Sequence, residues 1–402
     1  MSSRVKDFVE STPLYDVHNH LNPGKFSHRN YGEVLLYHYV VTELRSVGAR
    51  EDLLLSDRGL EEASKYFKFI RNTTTFWSLS RMIKDLYGVD ISDPSTSSLR
   101  EAVDAVNKFS MNEERAMEVM RKSGVRGSLI TLSPGEVVPH VDRSFQFALR
   151  ADSLLEPEGI AKMGEISSVN GLVDLLEGEM ERVRPKALTL GLQSPPSPAF
   201  GSSSLIPLIQ RGARLRERER EEFRSLVIRL LLDACKRREI TVQLMIGVTR
   251  PIPGASPPDY AVLSEEFSVL KTLELIGLYP QVKFDVLLAD PSLDHRFVVA
   301  AKNYPNLHVD GYWWYSNYPS IAKQMLATRL DVLPHTKVLG FFSDAYVSDW
   351  VYGKSLLARK VTSDVLAAMV AEGRITPELA EDVALALLWD NGARLYKGGG
   401  ED

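Results

Sequence analysis

The chain has 402 residues, a formal net charge of −5, 44% hydrophobic residues and 25% charged residues, a balance typical of a globular protein with a large buried core. The slight negative charge argues against nucleic-acid binding, and the sequence contains no 18-residue apolar run that would predict a membrane span. A single cysteine, Cys235, excludes an intramolecular disulfide, and the start of the chain lacks the apolar core of a signal peptide. We therefore expect a cytoplasmic protein.

Short apolar runs of strand-forming residues alternate with helical patterns along most of the chain. In the predicted helices 170–183, 221–238, 264–278 and 321–330, apolar residues recur every three or four positions. Eight strands alternating with helices predict an α/β fold, a parallel (β/α)8 TIM barrel. The predicted strands are 14–21, 126–132, 145–152, 186–192, 241–247, 283–290, 307–314 and 338–344.

Two segments do not fit a simple series of eight strand–helix units. Residues 32–124 are helical in pattern, and a connection of this length should form structure of its own. We therefore predict a barrel from residues 1–31 and 125–402, with 32–124 as a helical insertion that caps its mouth. Residues 193–213 are rich in Pro and Ser and predict a long loop.

The charge run that follows, 214–222, alternates in sign and predicts a solvated helix face. Two helices are expected at the end of the chain. In the second, Thr376 is the predicted N-cap and Pro377 occupies the first turn. The glycines 398–400 are expected to end it.

The first predicted strand carries two histidines, His18 and His20, with Asp16 before them. Residues i and i+2 of a strand point to the same face, so the two imidazoles should project together and could begin a metal site. An H-x-H pair also arises by chance, so the pattern needs support from elsewhere in the chain.

Other strands also end in polar or large residues, where the active sites of such barrels lie. Asp344 ends the eighth strand, which neighbours the first strand in a closed barrel. Two imidazoles and one carboxylate would form a three-ligand metal site with an open position. The alternative for Asp344 is a helix N-cap. The remaining strand-end candidates are Arg150, Asp152, Asp290, Trp313 and Trp314.

Several segments, in order along the chain, resemble the uronate isomerases of the amidohydrolase superfamily. They are PLYDVHNHLNP, YHYVVTELRSVGA (37–49), FALRAD, VQLMIGVTRP, GYWWYSN, and LGFFSDAYVSDW followed by ALLWDNGARLYK. The resemblance implies that the barrel is of the metal-dependent hydrolase type. It also implies an aldose–ketose isomerase that interconverts hexuronates, such as D-glucuronate and D-fructuronate. It implies a small sugar-acid substrate and allows a homo-oligomer.

The resemblance also implies residue roles. His18, His20 and Asp344 would hold one divalent metal ion, for which we expect zinc. Asp344 would also act in catalysis, together with His38 and Tyr39 of the insertion. The implied substrate-binding residues are Arg150, Asp152, Trp313, Trp314 and Tyr346.

Each of these roles has a structural alternative. His38 and Tyr39 are adjacent on a predicted helix, so at least one of them could be a packing residue. Arg150 could pair with Asp152 or Asp142 instead of substrate. The tryptophans could belong to the core.

The sequence departs from the family pattern at three places. Met245 stands where the family has a strand-five histidine, Tyr346 stands where it has an arginine, and GLQSPPS replaces an Asp-His after strand four. Thioether is a poor ligand for zinc compared with imidazole. Two further functions therefore stay open: a metal-dependent hydrolase or decarboxylase acting on a small carboxylated or sugar-derived substrate, and a non-catalytic sugar-acid binder.

Overall fold

Seven parallel strands form one sheet in sequential order, β1 to β7. The computed structural model describes residues 2–22, 25–192, 205–248, 267–313 and 317–396. Each strand pairs in parallel with the next one along the chain, as expected when helical connections return the chain to the same end of the sheet. The strands are β1 Leu14–Asn19, β2 Val125–Leu132, β3 Phe145–Arg150, β4 Ala187–Leu192, β5 Thr241–Ile246, β6 Phe284–Leu288 and β7 Leu307–Asp310.

The two edges of this sheet are joined by residues 338–345, which we call the closing segment. On one side, Leu339 N donates to the carbonyl of Val309 in β7 at 2.9 Å. On the other side, Asp344 N donates to the carbonyl of His18 in β1, also at 2.9 Å. The TIM-barrel architecture predicted from the sequence is therefore confirmed.

The prediction of a regular eighth strand over 338–344 is wrong. Asp344 has φ of +49°, a left-handed conformation that cannot continue a strand. The buried carboxylate of Asp16 also ties the segment to β1, because it accepts from Ser343 N at 2.8 Å and from Ser343 Oγ at 2.6 Å. Side-chain bonds thus replace part of the strand ladder here.

Side chains of the strands alternate between two apolar clusters. The larger cluster lies between the outer face of the sheet and the helices. The smaller one lies on the inner face, where Val17, Leu129 and Met245 pack together with Trp313 and Phe342. This alternation is the period of two that a strand imposes on its side chains.

The connection between β1 and β2 is helical, and its capping residues explain several boundaries. Thr73, Ser95 and Asn112 each accept a backbone N–H of the first turn that follows, the usual role of an N-cap side chain. A 3-10 helix covers Phe67–Phe69. The helices up to β2 are α1 Ser2–Ser11, α2 Gly32–Leu35, α3 His38–Ser46, α4 Glu51–Leu54, α5 Gly59–Tyr66, α6 Thr74–Tyr87, α7 Thr96–Asn107 and α8 Glu113–Ser123.

The later helices follow the strands. Thr376 caps α17, as predicted. A π-helix at Ala386–Asp390 connects α17 to α18, and 3-10 helices cover Asp152–Leu155, Gly212–Arg214 and His335–Lys337. The α-helices are α9 Pro157–Met163, α10 Val169–Val183, α11 Leu205–Arg211, α12 Glu217–Arg238, α13 Val269–Leu278, α14 Pro291–Asn303, α15 Pro319–Val332, α16 Ser348–Ala371, α17 Pro377–Leu385 and α18 Asn391–Tyr396.

Other boundaries differ from the predictions. The predicted loop 193–213 contains α11 in its described part, because Leu205–Arg211 buries apolar residues such as Leu208. Strand β7 ends at Asp310 instead of 314. The first part of that loop and the glycines 398–400 lie outside the described residues. None of the helices that the structure describes combines the length and apolar character needed to cross a bilayer.

Candidate active site

Strand β1 brings the two predicted histidines to the end of the barrel that the closing segment also reaches. The rings of His18 and His20 lie 5.0 Å apart, centroid to centroid, at right angles. His18 is fully buried and His20 is partly exposed. His18 lies in β1 and His20 directly follows its last residue, Asn19, and the two rings project to the same place as expected.

Asp344 of the closing segment faces this pair. Its Oδ1 lies 3.3 Å from Nε2 of His20 and 3.8 Å from Nε2 of His18. Burial opposes ionisation of this carboxyl group, but the hydrogen bond with His20 and the charge of Lys354 outweigh it, so the pKa of Asp344 lies below its usual range. The carboxylate is therefore the form present at neutral pH.

The three side chains fit a divalent metal ion. Their candidate ligand atoms all lie within 4.8 Å of one another. Among the described residues, no hydrogen-bond partner reaches Nε2 of His18, although that atom is buried. A buried polar atom without a partner is costly, and a metal bound there would satisfy it. Two imidazoles and a carboxylate are also a donor set that zinc accepts.

The environment of His18 favours its neutral form. Burial, followed by the charge of His20, lowers the pKa of His18 to about 3. Nδ1 of His18 lies 3.3 Å from Oε1 of Gln243 and 3.4 Å from Oγ1 of Thr131. Metal binding requires a neutral imidazole, so this environment suits a ligand.

The start of α3 brings two further predicted residues to the site. The hydroxyl of Tyr39 donates to Oδ2 of Asp344 at 3.4 Å, and the ring of His38 lies 4.3 Å from that of Tyr39. Burial lowers the pKa of His38 to about 3 and raises that of Tyr39 well above 10. A neutral imidazole and a protonated phenol thus stand beside the carboxylate. The neighbouring Tyr37 donates its hydroxyl to the carbonyl of Asp344 at 3.3 Å.

Lys354 is a site residue that the sequence analysis missed. It lies on α16, is 7% exposed, and places Nζ 4.6 Å from the centroid of the Tyr39 ring. Burial lowers the pKa of Lys354 to about 8, against the opposing charge of Asp344. The only signal in the sequence is that this lysine stands in the otherwise uncharged stretch VYGKSLLA. A solvent-exposed lysine on a helix would give the same pattern.

Arg150 stands at the end of β3. Its Nε donates to Oδ2 of Asp152 at 2.7 Å, and Oδ1 of Asp152 accepts from Gly191 N at 2.6 Å. Among the described residues, none accepts from the two terminal nitrogens of Arg150. The structure therefore contains the predicted Arg150–Asp152 pair, and this pair leaves a forked donor surface on the guanidinium. Asp142 instead accepts from Ser144.

The remaining predicted residues have different surroundings. Tyr346 is 50% exposed and its ring stacks on His20 at 4.9 Å. Trp313 is buried in the inner cluster together with Met245. Trp314 lies outside the described residues. Asp290 is the N-cap of α14, where its side chain accepts from Ser292 N at 2.8 Å, so it serves a helix end.

The sheet and the cluster at its mouth define a parallel TIM barrel that carries a His–His–Asp group at one end. Particular solved structures share this fold over nearly their whole length. A uronate isomerase from Bacillus halodurans C-125 has a TM-score of 0.81 at 22% identity, covering 98% of this chain and 96% of that chain. A uronate isomerase from Thermotoga maritima has a TM-score of 0.88 at 18% identity, covering 98% and 97%.

A glucuronate isomerase from Caulobacter crescentus gives a TM-score of 0.87 at 17% identity, covering 100% of this chain and 94% of that chain. No family model and no curated protein sequence matches the chain. At these identities the likeness establishes the fold alone. The shared fold agrees with the resemblance to uronate isomerases seen in the sequence motifs.

Proposed function

We propose that this protein is a metal-dependent aldose–ketose isomerase that interconverts a hexuronate aldose and its ketose, such as D-glucuronate and D-fructuronate. The observation that carries the proposal is the meeting of His18, His20 and Asp344 at the mouth of a barrel whose fold is that of solved uronate isomerases. Fold alone does not fix function, so the argument depends on what these side chains can do.

The proposed metal site consists of His18, His20 and Asp344, with zinc as the expected ion. A divalent metal bound there would polarise the oxygens of the substrate and hold them in place. The unpartnered Nε2 of His18 supports this proposal, and so does the ionised state of Asp344.

We assign recognition of the substrate carboxylate to Arg150. Its Nε donates to Asp152 at 2.7 Å, while among the described residues none accepts from its two terminal nitrogens. A fork of two N–H groups matches the geometry of a carboxylate. Lys354 adds a second positive charge close to Asp344, so the site favours an anionic substrate.

We assign proton transfer to the groups of α3 and the closing segment. In the isomerisation, one proton leaves the carbon that bears the hydroxyl group while the carbonyl oxygen gains one, giving an enediol. A proton is then returned to the former carbonyl carbon as the second hydroxyl loses its own. We assign this transfer to His38 together with the carboxylate of Asp344. Tyr39, whose pKa is raised, keeps its proton and can donate a hydrogen bond to the developing oxyanion.

The proposal gives the helical segment 32–124 the function of a cap on the barrel mouth. The hydrogen bond from Tyr39 to Asp344 supports this. Tyr346 and Met245 stand where the resemblance implies arginine and histidine, and we propose that these substitutions change specificity while the metal ligands are kept. The stacking of Tyr346 on His20 supports a role at the entrance.

The test is metal analysis of the purified protein, followed by incubation with hexuronates in deuterium oxide. We expect about one equivalent of divalent metal, interconversion of the aldose and ketose forms, and deuterium on the carbon beside the carbonyl. Solvent oxygen in the product would instead identify the hydrolase alternative. Binding without any turnover would identify the binder.

A matched pair of variants tests the metal site. His18→Asn should lose most of the bound metal, because one of three protein ligands is removed. His295→Asn is the control, since the metal cluster found among the described residues does not include His295. Unchanged metal content in His18→Asn would overturn the proposed site.

A further inference from the structure

The inner face of the barrel carries fully buried polar residues where branched apolar side chains normally pack. Thr189 in β4, Gln243 in β5, Asp285 in β6 and Asp310 in β7 are each 0% exposed. They lie between the candidate metal site and α18 at the opposite end of the strands. Buried polar groups of this kind are costly unless their hydrogen bonds are satisfied, so their partners show what the arrangement holds in place.

The orientation of the Gln243 amide is fixed by its neighbours. One end of the amide lies 2.7 Å from the carbonyl of Val17. A backbone carbonyl can only accept, so the group that faces Val17 must be the NH2 group. Its second N–H then points to the hydroxyl oxygen of Tyr396, at 3.1 Å.

Tyr396 is the last residue of α18 and completes the anchor. Its oxygen accepts from Gln243, and its own proton is therefore donated to the carboxylate of Asp285. The aromatic ring of Tyr396 stacks on Tyr15, 6.5 Å centroid to centroid. The end of α18 thus reaches into the barrel and holds a glutamine of β5.

The carbonyl oxygen of the Gln243 side chain determines which ring nitrogen of His18 carries the proton. Oε1 of Gln243 accepts from Oγ1 of Thr189 at 2.8 Å and lies 3.3 Å from Nδ1 of His18. An acceptor at this position requires the proton of His18 to be on Nδ1. In the neutral ring, Nε2 then carries the lone pair, and Nε2 is the atom nearest to Asp344.

We propose that Gln243, anchored by Tyr396, is a positioning residue that selects the tautomer of His18 and presents its Nε2 lone pair to the metal. The proposal rests on the metal site of the proposed function. Residues that hydrogen-bond to a metal-ligating histidine typically contribute 10- to 100-fold to metal affinity. Helix α18 would thereby support the metal ligand His18, which lies near the other end of the sequence.

The experiment measures two properties in four variants. The first is the tautomer of His18 in the metal-free protein, read from long-range 15N–1H spectra of histidine-labelled protein and assigned by the missing signals in His18→Asn. The second is the affinity for Zn²⁺, measured by competition with a chromophoric chelator. Gln243→Leu removes the acceptor, Gln243→Glu keeps it, and Tyr396→Phe removes the anchor. Tyr15→Phe is the matched control, because the hydroxyl that it removes donates to Gln146 at 3.2 Å.

Gln243→Leu should populate both tautomers and weaken Zn²⁺ binding about 10- to 100-fold. Gln243→Glu keeps an acceptor for His18 but loses the N–H groups that bond to Val17 and Tyr396, so it should keep the proton on Nδ1 even where Zn²⁺ binding weakens, a combination that a purely packing role would not produce. Tyr396→Phe should lose about 3- to 10-fold, since the carbonyl of Val17 still holds the amide. Tyr15→Phe should change neither property.

A folded Gln243→Leu variant with an unchanged tautomer and unchanged affinity would overturn the proposal. If that variant fails to fold, an unchanged affinity in Tyr396→Phe would overturn it equally. These outcomes differ from a failure of the proposed function. A protein without isomerase activity would still report the tautomer and the Zn²⁺ affinity, and a parent protein without Zn²⁺ affinity would refute the metal site directly.

Discussion

Replacing Arg150 by lysine tests the proposed carboxylate recognition most directly. The guanidinium uses Nε for Asp152 at 2.7 Å, and among the described residues nothing accepts from its terminal nitrogens. Lysine carries its donors on a single nitrogen, so it cannot pair with Asp152 and also offer the substrate a planar fork of two nitrogens. We expect the variant to lose one charge-assisted hydrogen bond to the substrate, about 1.5 to 3 kcal/mol.

That loss corresponds to roughly a 10- to 150-fold weaker interaction with the hexuronate. Steady-state kinetics should show most of it as a higher KM with a smaller change in kcat, because the carboxylate contact is made equally in the ground state and in the transition state. Metal content and thermal stability should change little, since the side chains of the Arg150–Asp152 pair are about a third exposed.

Asp152→Asn is the companion variant. It keeps the terminal nitrogens of Arg150 but weakens the bond that orients them, so we expect a smaller rise in KM. An unchanged KM in Arg150→Lys would contradict the reasoning. A fall in kcat with KM unchanged would contradict it as well, because it would move the role of Arg150 from binding to the chemical step.

Three further predictions concern the site and its supports. Asp344→Asn should abolish metal binding in a metal-content assay yet unfold less readily than Asp344→Ala, by about 1 kcal/mol, because asparagine tolerates the left-handed φ of +49°. His28 donates to Asp349 and to a backbone carbonyl, both at 3.0 Å. Burial opposes the charge, but the bond to Asp349 outweighs it and raises the pKa of His28. Its contribution should therefore be complete below about pH 6.5 and be lost as the pH rises through the folded-state pKa, so urea unfolding at pH 6 and pH 8.5 should show a drop that His28→Gln lacks. Arg329→Met should cost about 3 to 5 kcal/mol in the same assay, because it leaves buried Asp294 without the partner now 2.9 Å away; Asp294→Leu in addition should recover part of the loss.

Local patterns in the sequence were enough to predict seven strands, several helices and the imidazole pair. His18 and His20 could be placed together because strand geometry repeats every two residues, and that relation depends only on neighbours in the chain. Asp344 could be added because the end of an eighth repeat must return to the first strand.

Only the tertiary structure decided how Asp344 reaches the histidines. Its left-handed backbone and the bonds from Ser343 to Asp16 replace the regular strand that periodicity predicted. Gln243 carries no local signal, and Lys354 has only the uncharged stretch around it, because a buried lysine on a helix and a buried glutamine in a strand look like ordinary polar positions in the sequence. Their partners come from elements far away in the chain, and contacts of that kind exist only once the barrel has closed.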